Sequence, residues 1–187
     1  RSVSAFLLNR SSDLDLVMKD VKYMCDINES INIAKSYKMC LLEVITQAHF
    51  GANEEKVLNL SKEALKIYIQ TNKSLVPKDK YDVIINTNYD FLLKLAEVLL
   101  SFYDFETKIW LNSSPDTIRQ AQKILSLLSR NKYLISGRLL IGKLNFLLCD
   151  FNKAHEIADD IINMDNKNIE ALMFKALVCI ETKDFRR

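Results

Sequence analysis

Asp150-Phe151 recurs as Asp184-Phe185 after an interval of 34 residues. Laying residues 135–151 over 169–185 brings Gly142 onto Ala176, Leu144 onto Val178, Phe146 onto Ile180 and the two Asp-Phe pairs onto each other. A self-match at this period restricts the chain to stacked helix–turn–helix units, because a unit so short buries its apolar face only against its neighbours. The first copy runs on through "NKAHEIADDI", with Ala154, Ala158 and Ile161 on the face that must press against the preceding helix. Small residues at Gly142, Ala154, Ala158 and Ala176 are expected where helices cross closely, since backbones approach only where side chains are short. The second copy stops before its equivalent of Ala154, so the chain reads as a fragment with further repeats on both sides in its parent.

Composition agrees with an all-α chain. Three glycines and two prolines in 187 residues are too few for a fold of tight hairpins, Gly-rich phosphate loops or a doubly wound sheet. Hydrophobic residues make up 49% and charged residues 27%, enough for a substantial core. The net charge of +2 is spread over interspersed signs, and the densest groups, Lys78-Asp79-Lys80 and Arg186-Arg187, are short; no nucleic-acid footprint stands out. No run reaches the roughly 18 apolar residues of a membrane span, so no membrane insertion is expected.

Helical periodicity predicts helices over 2–9, 12–27, 31–50, 53–71, 88–103, 115–130, 133–148, 151–163 and 168–181. Short breaks between them demand antiparallel neighbours. Two breaks are longer. Residues 72–87 carry Pro77 and several charges, and residues 104–114 end at Pro115, suited to a first helical turn after Ser113-Ser114. Trp110 in the second break is expected to anchor it on the body. Residues 133–148 are apolar nearly all round, apart from Arg138, Lys143 and Asn145, which predicts a helix covered on several sides. The organisation is therefore one α-solenoid over 1–187: irregular hairpins over 1–71, the connection 72–87, a hairpin over 88–134 with its long internal loop, one repeat over 135–168 and a truncated one over 169–187.

Little in the sequence points to catalysis, a metal or a cofactor. Cys25, Cys40, Cys149 and Cys179 lie in apolar helical patterns without metal-type spacing and read as buried free thiols, which favours a reducing compartment. Five Asn-x-Ser sequons, at Asn9, Asn28, Asn59, Asn72 and Asn112, read as accidents of an Asn-rich composition. His49 and His155 are expected partly exposed near helix ends, with no nucleophile in an activating context. Glu54-Glu55 and Asp159-Asp160 are adjacent pairs whose side chains diverge by about 100° on a helix, so neither forms an acid–base couple. A solvated face explains both, and Glu54-Glu55 also suits a helix N-terminus.

The 34-residue period and the small residues resemble tetratricopeptide repeats, and the resemblance implies a right-handed superhelix whose concave groove binds other proteins. It places Ser136, Leu139, Lys143 and Phe146 of one repeat, and Glu170, Met173, Leu177 and Ile180 of the next, on that groove. The set is mostly apolar and equally suits an internal core. The chaperone-tail class of these repeats clamps a terminal carboxylate with lysine and asparagine; Leu139, Met173 and Leu177 stand where that clamp needs polar groups, which argues against it.

A more specific series runs through the irregular parts: "SVSA", "AKSYKMCLLEVITQAHFGANEEKVLNLSKEAL", the long break, "NYDFLLKLAEVLLSFYDF" and "RQAQKILSLL". It resembles the middle of the large tetratricopeptide-repeat subunit of intraflagellar transport complex A, over essentially the whole chain. Its most specific element is Asn88-Tyr89-Asp90-Phe91-Leu92-Leu93, similar to the family's "NPDFLLEI", with Tyr89 in place of proline and Asn88 or Asp90 left to cap the helix. The resemblance implies a non-catalytic scaffold with other complex A subunits as partners, in retrograde ciliary transport and cargo trafficking. It would work in the cytoplasm, at the cilium or flagellum and at its base. A generic repeat scaffold of another assembly, or a helical regulatory segment of a larger enzyme, are the alternatives on the residues alone.

Overall fold

The computed structural model describes residues 36–72, 87–102, 115–129, 131 and 133–183, together with Lys19, Asp20 and Tyr23. Most of the expected helices 2–9 and 12–27 lies outside these residues, as do Cys25, Trp110, Ser113-Ser114, both long breaks apart from their edges, and Asp184-Phe185. Seven α-helices and no strand occur among the described residues, so the chain is an all-α stack of helical hairpins. It divides into two compact units, Arg1–Val76 and Pro77–Arg187.

The first unit contains one described hairpin, α1 (Tyr37–His49) and α2 (Glu54–Asn72). Ser36 caps α1, its hydroxyl accepting from the Met39 N–H at 3.3 Å. Gly51, at φ +70°, turns the chain, a conformation that L side chains resist. Asn53 then accepts from the Glu55 N–H at 3.3 Å, and Glu54 and Glu55 occupy the first turn of α2, where carboxylates meet the positive end of the helix dipole. Cys40 and Val44 of α1 and Val57, Leu58, Ala64, Leu65 and Tyr68 of α2 are buried, the one-sided pattern of an amphipathic helix pair. Tyr37 sets its ring edge against Tyr68 at 5.2 Å between centroids.

The second unit begins with α3 (Tyr89–Leu100) and α4 (Pro115–Leu128), packed on each other. Asn88 caps α3, its Oδ1 accepting from the Phe91 N–H at 3.0 Å; of the two capping candidates, this is the one used. Pro115 takes the first position of α4, where a missing N–H removes no helical bond. On α4 the residues Thr117, Gln120, Ala121, Ile124, Leu125 and Leu128 are buried while Arg119, Gln122 and Lys123 are exposed, a narrow stripe at helical spacing. Each fully buried leucine or isoleucine of such a stripe contributes roughly 1.5–3 kcal/mol.

Helices α5 (Ile135–Leu147), α6 (Phe151–Met164) and α7 (Ile169–Thr182) carry the 34-residue repeat. The start of α7 falls one period after the start of α5. So do two non-glycine residues of positive φ among the described residues: Cys149 at 59° and Lys183 at 54°. Each follows or caps a first helix of a repeat. At Cys149 the geometry is complete: its N–H reaches the Phe146 carbonyl at 3.0 Å and the Asp150 N–H reaches the Asn145 carbonyl at 2.9 Å, the double closure that normally recruits glycine. Asp150 then caps α6 through the Lys153 N–H at 3.3 Å, and Phe151 opens the helix with its ring edge-on to Phe146. At Asp150-Phe151 the pair thus supplies a cap and a helix-opening anchor where the chain turns back.

Helix α5 is surrounded as its composition demands, touching α3, α4, α6 and α7. Gly142 marks the tightest crossing. A Cβ placed there would lie 2.8 Å from Phe174 Cε1 of α7 and 3.2 Å from Ile157 Cγ2 of α6. The aromatic ring is buried and cannot swing away. Ala154 and Ala158 are also fully buried, whereas Ala176, expected at a crossing, is exposed, because no described helix lies over that side of α7.

Gly142→Leu is expected to destabilise the second unit by overpacking worth roughly 1–3 kcal/mol; a chemical-denaturation midpoint equal to that of the wild type would contradict this crossing. Cys149→Gly should act oppositely, raising stability by about 1 kcal/mol through relief of the left-handed backbone, read as a higher melting temperature.

Candidate functional site

The expected groove residues divide sharply once the helices are in place. Leu139 and Phe146 are buried in the cluster formed with Ala154, Ala158, Ile161, Ala171, Phe174 and Val178, and Leu177 packs against it partly buried. Phe146 sits between two rings, edge-on to Phe151 at 5.6 Å and to Phe174 at 6.2 Å. These three are core: α7 lies over the face of α5 from which Leu139 and Phe146 project. Ser136 and Glu170 are exposed and Lys143 is half-buried. Met173 and Ile180 stand at 66% and 62% exposure, joined on α7 by Ile169 and Leu172. Phe146 and Ile180, equivalent in the repeat, thus have opposite environments.

Charged side chains stitch the hairpins together rather than forming an active centre. The adjacent carboxylates of α6 diverge to different helices: Asp159 pairs with Lys175 of α7, and Asp160 with Arg138 of α5. The expected solvated face is thus a pair of half-exposed cross-links. Arg138 also reaches Met164 Sδ at 3.2 Å. Beside this pair, Ser129, Ile141 and Ile157 complete the lining of an open cavity of about 270 Å³. It holds one carboxylate and one guanidinium already engaged with each other, an arrangement that locks helices and leaves no free acid or base.

At the start of α6 the Asp150 carboxylate accepts from Lys153 Nζ at 2.6 Å as well as from its backbone N–H. The side-chain bond from Lys153, then the backbone bond, hold Asp150 below its ordinary value of 3.8. The same bond to Asp150 holds Lys153 above 10.5.

The histidines separate in the same way. His49 is exposed at the end of α1, as expected. His155 is not: it is 6% exposed, with Nε2 at 3.4 Å from Cys179 Sγ of α7 and a buried Nδ1 that has no hydrogen-bond partner. Nothing local to either residue signals this contact, because 24 residues and a turn separate the two groups. Nδ1 meets no third group that would orient the imidazole, so the pair lacks the triad arrangement of a nucleophile and base that turn over a substrate. Of the cysteines, Cys40 and Cys179 are buried, as expected, but Cys149 is exposed, at its left-handed capping position. Among the described residues no three His, Cys, Asp or Glu side chains converge as a metal site would require. No described helix is long and apolar enough to cross a membrane.

Antiparallel hairpins with a 34-residue period, a glycine at the crossing and capped turns define a helical-repeat protein, a class that works by presenting helix faces to other proteins. The family described as tetratricopeptide repeat protein 21, second ARM domain, matches residues 16–183, and the chain belongs to that family. No curated protein and no solved structure matches the chain significantly. The family is of the scaffold type, consistent with protein partners.

Acid titration tests the α6 cap. Because the folded-state value of Asp150 is depressed, its contribution is present above 3.8 and lost as pH falls through the lowered value; that of Lys153 is full below 10.5 and lost only as pH rises through its raised value. Asp150→Asn should therefore destabilise the chain at neutral pH and narrow its difference from wild type at pH 2, measured by urea midpoints at both pH values.

Proposed function

We propose that this chain is a non-catalytic scaffold segment of intraflagellar transport complex A, acting in retrograde ciliary transport and in the trafficking of ciliary cargo. The observation that carries the proposal is family membership over residues 16–183. The hairpin packing supports it: Asp150, Asp159, Asp160, Arg138 and Lys175 are spent on a cap and on cross-links between helices. In this reading the partners are other complex A subunits, and the protein works in the cytoplasm, at the cilium or flagellum and at its base. The contacting surface uses the exposed members of the groove set, Ser136, Glu170, Met173 and Ile180, with Lys143 at its edge, while Leu139, Phe146 and Leu177 support it from beneath.

The test is affinity purification of the tagged parent protein from ciliated cells, followed by mass spectrometry. The other complex A subunits are expected to co-purify stoichiometrically; their absence from cells that build cilia would overturn the assignment. A double substitution, Met173→Glu with Ile180→Glu, should reduce that recovery at least roughly tenfold, equivalent to about 1.4 kcal/mol, without lowering the melting temperature, since both side chains are exposed.

A further inference from the structure

The geometry points to Cys179 as a thiol that a peroxide can oxidise, with His155 as its proton acceptor and the α6–α7 contact as the element that the oxidation loosens. This inference is independent of the scaffold's cellular role. Three observations carry it. His155 Nε2 lies 3.4 Å from Cys179 Sγ, within reach for transfer of the thiol proton. Cys179 is 8% exposed, so it is enclosed but not sealed, and a small oxidant is the kind expected to reach it. His155 Nδ1 is buried without a partner, an arrangement that stabilises neither helix and is of the kind associated with redox or catalytic roles.

The step balances with hydrogen peroxide as the two-electron oxidant. The Sγ proton passes to Nε2, and sulfur attacks one peroxide oxygen as the O–O bond breaks. The departing hydroxide takes the proton back from the imidazolium and leaves as water. Sulfur is oxidised to the sulfenic acid and peroxide is reduced; the ring returns to its neutral form.

The structural consequence follows from packing. Ala154, Ala158 and Val178 of the same two helices are 0% exposed, and in so closely packed an interior an added oxygen is expected to crowd the interface. The S–H no longer stands between the helices, and His155 is left buried with its partner altered. Release of the first turn of α6 from the last turn of α7 relieves both. Cys149 provides an internal reference, being an exposed thiol at a turn.

Limiting hydrogen peroxide is added to the full chain for a set time and removed with catalase, the chain is then unfolded into a 1,3-diketone that traps sulfenic acids, and each cysteine is followed by peptide mapping. Cys179 is expected to be trapped faster than Cys149 despite its burial. His155→Phe, which fills the space of the ring, should slow Cys179 on the order of a hundredfold, a general-base contribution, and leave Cys149 unchanged. After oxidation, amide exchange should accelerate across 151–182 while 37–72 is unaffected. Trapping of Cys179 slower than Cys149 in the native chain would overturn the proposal, as would an unaltered Cys179 rate in a folded His155→Phe chain. Should that variant fail to fold, the native chain in urea decides: the lead of Cys179 must vanish on unfolding, and a lead that persists belongs to local sequence and overturns the assignment.

Discussion

The close approach at Gly142 is the contact on which the second unit depends. With no Cβ on α5 at that position, Phe174 of α7 and Ile157 of α6 can both occupy the space a side chain would fill. Phe146, one helical turn on, then completes a run of edge-on rings from Phe151 to Phe174. Three helices are held by one vacancy and one aromatic series. The same contact explains why α5 carries so few polar residues: with α3 and α4 on its other sides, little of its surface reaches water.

Around that core, polar chemistry is used for registration. Asp150 caps α6 and binds Lys153, Asn168 caps α7 by accepting from the Ala171 N–H at 3.0 Å, and Asp159 and Asp160 fasten α6 to α7 and to α5. The pairs on α6 are half-exposed, and surface ion pairs contribute at most about 1 kcal/mol each. Their role is to choose among neighbouring registers that the apolar faces alone would tolerate. His155 and Cys179 are the exception, a buried polar contact at the same interface with one ring nitrogen left unpartnered.

A repeat scaffold makes its interaction surface from what the stack leaves uncovered. Helix α7 presents Ile169, Leu172, Met173 and Ile180 to solvent, while equivalent positions on α5 are covered by α6 and α7. These exposed apolar side chains are the ones on which the proposed contact surface rests. That difference between identical positions in successive repeats is set by what packs over each helix.

The sequence by itself determined the element type and the period. Helical spacing of apolar residues, scarce glycine and proline, and the 34-residue recurrence are local or quasi-local properties, and the backbone has few ways to satisfy them. Six of the seven described helices lie within three residues of their expected bounds, while α1 begins at Tyr37 rather than at 31, where Ser36 caps it. What only the tertiary structure decided is which face of each helix is covered. Leu139 and Met173 are indistinguishable as apolar residues at one repeat position, yet one is buried and the other exposed, because burial depends on the neighbouring helix. For the same reason His155, whose sequence neighbours suggest an exposed helix start, is enclosed with Cys179: its environment comes from a helix 24 residues further along the chain.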